Sequence, residues 1–296
     1  MCVNPVREIS KIAGMVSAII LILAAAQAPA AAAVKPRNIQ SFTLAERQLL
    51  LIERMTNSAL LEILEIDASP RLKSIHWSRD RFGKMQTNLL EGNARLGLRP
   101  TTEPKILETL DKTELEWRRY DAIFGKIVAS GKVSRTEIIA LTASHASTTD
   151  ALKKTVNSYR YFVNGGRHHS ILSSTINGTG RLRASAQLVL RELMMAVYSK
   201  YAMQERHTLA RSTKDFDQTI NGLIFGDPEI GLLAAATPEI KRELLKVHLM
   251  WKEVRPILDA AAAGTAITND KIAIVARYAN KMAVPLTMAL IMYLNV

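Results

Sequence analysis

The sequence is poor in residues that interrupt or cross-link a chain. Its single cysteine, Cys2, sits at the extreme N-terminus, so removal of the first segment excludes disulfides, cysteine-metal centres and thiol catalysis. Gly 14 and Pro 10 are few for 296 residues, and long stretches carry no turn signal, which excludes a fold of many short strands and points to helices. His-Glu-x-x-His, Gly-x-Ser-x-Gly and Gly-x-x-x-x-Gly-Lys are all missing, as are the Glu-x-x-His pairs of di-metal bundles. The expectation is therefore a protein without enzyme activity, metal or cofactor. Glu62, Glu65 and Asp67, and likewise Glu192 and Glu205, read as surface helix charges. With 48% hydrophobic and 22% charged residues, the chain can bury a sizeable core, so a disordered or low-complexity polymer is excluded. Its net charge of +12 favours anionic ligands or surfaces without choosing among them.

Residues 1–33 open with Arg7 and Lys11, continue from Ile12 to Ala26 as an apolar stretch and end in Ala-x-Ala choices. This is the pattern of a cleavable Sec-type signal peptide, cut after Ala33; the other reading is a retained anchor. Export to the periplasm follows, and nucleic acid is then not expected as a partner. No stable membrane span is expected after cleavage: the apolar C-terminal stretch contains Pro285 and is preceded by Lys271, Arg277 and Lys281, so it reads as a buried bundle helix.

Compared with itself at an offset of 134, the chain pairs Trp117 with Trp251, Pro104 with Pro238, Gly92 with Gly226, Gly97 with Gly231, Phe82 with Phe216 and Arg47 with Arg181. Two copies of one unit are expected, 34–164 and 172–296, joined by a linker at 165–171 that holds Gly165, Gly166, His168 and His169. Each copy is too long for a solenoid repeat and reads as a domain. In the first, Leu44, Leu51, Met55, Leu61 and Ile66 follow helical spacing behind Thr43 as cap. A second helix, with Pro70 near its start, carries Ile75, Phe82, Met85 and Leu89 to a stop at Gly92. A third runs from Pro104 to Gly131, and Ser134 with Glu137 forms a capping box for a fourth. The second copy should place helices at 180–206, 208–225, 237–263 and 268–294. The fold class is all-α, two tandem four-helix bundles. Trp117 and Trp251 lie on apolar stripes and read as core.

The first helix of each copy carries a recognisable pattern, Ala45-Glu46-Arg47-Gln48-Leu49-Leu50-Leu51-Ile52-Glu53-Arg54-Met55 and Gly180-Arg181-Leu182-Arg183-Ala184-Ser185-Ala186-Gln187-Leu188. Together with the Phe82-to-Gly92 and Pro104…Trp117 stretches and their repeats, it resembles the N-terminal domain of type IV pili methyl-accepting chemotaxis transducers, the PilJ-type sensor, twice over. The resemblance implies an extracytoplasmic four-helix sensor whose helix-one arginines meet across a dimer axis and hold a small oxyanion such as nitrate. Carried over residue by residue, Arg47 and Arg181 match the motif's first arginine, Arg183 its second, Arg54 its last and Gln187 its glutamine. Leu49 and Leu188 stand where the motif has arginine, so the two copies depart from it differently. A homodimer or an intramolecular pseudo-dimer is compatible with the pattern.

The chain shows no kinase core or long methyl-accepting helix, so the expected function is a periplasmic sensory or ligand-binding protein without its own output domain. It would bind a small anion through Arg47, Arg54, Arg181, Arg183 and Gln187 and act through an envelope sensor or chemoreceptor partner. The alternatives are a structural or interaction module that has lost its ligand, and attachment to anionic envelope surfaces through net charge.

Overall fold

The computed structural model describes residues 39–66, 71–163, 171–198 and 202–294. Residues 1–33, expected to be a signal peptide and including Cys2, lie outside the described residues, as do Asp67, Pro70 and both linker histidines. Within them the fold is all-α, as the composition predicts: eight α-helices and no strand. They are α1 (Ile39–Ile63), α2 (Arg71–Glu91), α3 (Pro104–Ser130), α4 (Arg135–Val163), α5 (Ile171–Tyr198), α6 (Ala202–Phe225), α7 (Pro238–Ala262) and α8 (Asn269–Tyr293). No described helix is long and apolar enough to cross a membrane.

Helices α1–α4 pack as one four-helix set and α5–α8 as another; in each, every helix lies against its chain neighbours and the fourth closes on the first. Their ends follow local chemistry. Pro104 and Pro238 occupy first-turn positions, where a missing N–H costs nothing. Gly92 ends α2 at φ +79°, and a Cβ there would lie 2.6 Å from the Pro100 nitrogen, so both backbone and space demand glycine. The Ser134 N–H donates to the Glu137 carboxylate at 2.9 Å, the capping box expected at the start of α4.

Two boundaries differ from the sequence expectation. Helix α1 begins at Ile39, so Thr43 lies inside it and is no cap. Helix α5 begins at Ile171 and stops at Tyr198, while α6 starts at Ala202. The expected start at Gly180 falls inside α5, as does Gly178; both glycines lie where Leu232, Leu223 and Glu46 press close, and tertiary contact overrides their low propensity.

Residues 134 positions apart take matching places in the packing. Phe82 stacks on Trp117 with ring centroids 3.9 Å apart and planes at 22°; Phe216 stacks on Trp251 at 3.9 Å and 21°. All four are buried, each contributing roughly 1.5–3 kcal/mol by burial. The connections repeat too: Asn93 pairs with Leu98 and Asp227 with Leu232 in small antiparallel bridges, each closed by a left-handed glycine, Gly97 or Gly231. The two sets meet where α1 packs against α5.

Candidate functional site

Helices α1 and α5 run parallel and in register. Asn57 Nδ2 donates to the Gln187 carbonyl at 2.9 Å and to Gln187 Oε1 at 3.1 Å. Shifting both residues by 134 in opposite directions gives Arg191 and Glu53, whose Nε and Oε2 lie 3.5 Å apart. One contact is thus made twice, as an amide pair on one side and an ion pair on the other. Glu46 lies against its own equivalent, Gly180: a Cβ at that glycine would collide with the Glu46 carboxylate, which is why the helix tolerates glycine there.

Arg183 is the most deeply placed of the arginines singled out from the sequence, 2% exposed. Its Nη1 donates to Thr287 Oγ1 at 3.3 Å, whereas Nε and Nη2 are buried without a partner among the described residues. Burial holds its pKa below the ordinary arginine value; Glu46 opposes that shift and the neighbouring cations Arg47 and Arg54 add to it. Arg47, Arg54 and Arg183 therefore converge on one region, two from the first set of helices and one from the second. Burial likewise lowers the pKa of Arg54, whose Nε is buried and unpartnered; no carboxylate among the described residues is within ion-pair distance of it. Gln187 is buried, and its Nε2 donates to Asn280 Oδ1 at 3.1 Å on α8. Arg181 stands apart: it is exposed, on the side of Glu46 shared with Arg160.

Sequence reasoning passed over Glu46. Burial raises its carboxyl to about 7, against the pull of Arg183, Arg160 and Arg181. Its pairing with a glycine at the shifted position was the available signal. Also missed was the ionic junction on the other side of the α1–α5 contact. There Glu53 Oε1 lies 3.1 Å from His145 Nε2 on α4, with Arg191 on the second oxygen. Burial alone would raise the Glu53 pKa, but His145 and Arg191 outweigh it and the net shift is downward. Glu192, read as a surface charge, is 2% exposed and joins this junction 3.9 Å from Arg191; α5 turns it inward. Burial lifts it to about 7, with Arg191 and a bond from Ser212 pulling the other way. No group of three or more His, Cys, Asp or Glu side chains suited to a metal occurs among the described residues.

Between α1, α2, α5 and α8 lies a pocket of about 270 Å³, whose lining includes Arg54, Asn57, Leu61, Trp77, Gln187 and Leu190. No acidic side chain lines it among the described residues. The unpartnered Nε–H of Arg54 beside this space can donate to an oxyanion.

The fold and this site define a helical-bundle protein with a buried cationic junction. Residues 171–276, a little over a third of the chain, match the family model described as type IV pili methyl-accepting chemotaxis transducer N-terminal, PilJ. The chain thus carries a PilJ-type domain that begins with α5 and extends into α8. No curated protein matches the chain.

Proposed function

We propose that this protein is an exported, periplasmic sensory module without enzyme activity, which binds a small oxyanion such as nitrate where α1 meets α5 and reports its state to an envelope or chemoreceptor partner. On this reading residues 34–164 are a second PilJ-like copy, and the two copies in one chain do what two subunits do in a dimeric sensor. The PilJ match supports the sensory part, and the repeated Phe–Trp stack and glycine turns support the second copy. The observation that carries ligand binding is Arg183: a buried guanidinium with two unpartnered nitrogens, beside Arg47 and Arg54. Leaving such donors unmade costs about 1–3 kcal/mol, which an anion would recover.

The test is a thermal-shift series with nitrate, nitrite, sulfate, phosphate and small carboxylates at constant ionic strength. An anion at a hundred times its Kd should stabilise the chain by about 2.7 kcal/mol. Arg183→Gln should remove the effect. An interaction module without a ligand is the second reading, favoured by Glu46, whose carboxyl already stands beside Arg183. That reading predicts no anion-dependent shift at all.

A further inference from the structure

The lateral pocket has a counterpart that the molecule has already filled. Exchanging the two halves by the 134-residue shift carries the pocket onto the ionic junction: Asn57 corresponds to Arg191, Ser58 to Glu192, Gln187 to Glu53 and Arg54 to Leu188. In the filled junction two carboxylates, Glu53 and Glu192, surround the guanidinium of Arg191. In the open one serine replaces Glu192 and glutamine replaces Glu53, while the cation has moved one turn to Arg54 and finds no carboxylate. Truncation of Glu to Ser at position 58 leaves room, and the exchange of Glu for Gln at 187 leaves charge uncompensated. Asn57, 2% exposed, also keeps its Oδ1 unpartnered there.

From this we infer that the pocket of Arg54, Asn57 and Gln187 binds an organic molecule that brings its own carboxylate together with a small apolar or aromatic body. The proposal rests on the anion-binding reading above and narrows it to a ligand class and a place. A volume of about 270 Å³ has room for an organic acid as well as for an inorganic oxyanion. The apolar contact is at the rim, where Trp77, 53% exposed, offers an indole; Leu61 and Leu190, both buried, only back a lining that is otherwise Arg, Asn, Gln and Ser side chains. The carboxylate pairs with Arg54, and Asn57 Oδ1 accepts from a hydroxyl or amine on the ligand where one is present. The filled junction has no equivalent of this indole, since Arg211 stands at the position of Trp77.

Benzoate and phenylacetate, with benzamide and phenylacetamide as uncharged controls and nitrate as the inorganic control, test this on the full chain. Tryptophan emission and thermal shift give the two readouts. The acids should stabilise the protein and shift its emission, and the amides should not. Trp77→Phe should abolish the emission change, because the other two tryptophans, Trp117 and Trp251, are buried in the bundle cores. Arg54→Gln should weaken binding roughly tenfold or more, the usual size of a lost charged hydrogen bond. Ser58→Glu supplies the missing carboxylate from the chain and should abolish binding while leaving a folded protein. Arg183→Gln should leave it in place. Equal binding of acids and amides, or acid binding that survives Ser58→Glu, overturns the proposal. Stabilisation by nitrate alone, lost in Arg183→Gln, overturns it while sparing the anion reading. No effect from any anion overturns both.

Discussion

The two sides of the α1–α5 contact are one architecture with opposite electrostatics. On the α4 and α6 side, Glu53, His145, Arg191 and Glu192 lie within ion-pair distance of one another, out of water, so that their charges offset. On the α2 and α8 side the corresponding places hold amides, a serine and an arginine beside an open pocket. Burying an ion is costly unless a counter-ion is close; the α4 and α6 side holds its counter-ions within the chain, and on the proposed reading a ligand supplies the missing one on the open side. A handful of side chains accounts for the difference between the two sides.

The largest effects should ignore that difference, because the cores are equivalent. Phe82→Ala and Phe216→Ala each remove half of a Trp stack and should cost about 3–5 kcal/mol, equal within error in urea unfolding. A marked inequality would break the equivalence of the two cores. Next comes Glu53→Gln, which leaves Arg191 buried without its nearest acid and should cost about 3 kcal/mol at neutral pH. The shifted substitution Gln187→Glu, which adds an acid on the side of Arg54, should cost far less.

Intermediate in size is the dependence on pH. Burial raises the Glu46 and Glu192 carboxyls from 4.5 to about 7. Their contribution to stability is therefore full below pH 4.5 and declines as the pH rises through 7, by at most about 1.4 kcal/mol per pH unit for each proton. Glu53 has the opposite sign: its lowered pKa contributes stability above 4.5 that disappears on acidification. Denaturant midpoints across pH 3–8 should show Glu46→Gln flattening the neutral limb and Glu53→Gln flattening the acid limb. The smallest expected effect is Ser58→Glu, within about 1 kcal/mol of the parent, since the new carboxylate pairs with Arg54 but must itself be desolvated.

Much of the fold could be read from residue order. The apolar stripe Ile106, Leu110, Trp117, Phe124 and Ile127 is buried along α3, and Pro104 and Gly131 mark its ends. Helix α5 was legible only in part, because Gly178 and Gly180 look like a break until the close approach of Leu232 and Glu46 is seen. In the site, the arginines were visible as types and spacing. Their partners were not, since Glu46, Glu53 and Asn57 meet residues 130 or more positions away, and a carboxylate on a helix looks alike whether it faces water or another helix.

Sequence alone determined the helical class, the pairs of like residues 134 positions apart and the stock of cations, because periodicity, glycine and proline placement and charge are local properties. Only tertiary structure decided that α1 packs on α5, that Arg183 and Glu192 are buried, and that one of two equivalent junctions is filled while the other stays open. Those outcomes depend on which side chains the parallel contact brings together, and desolvation acts on a group only once a neighbour has taken away its water.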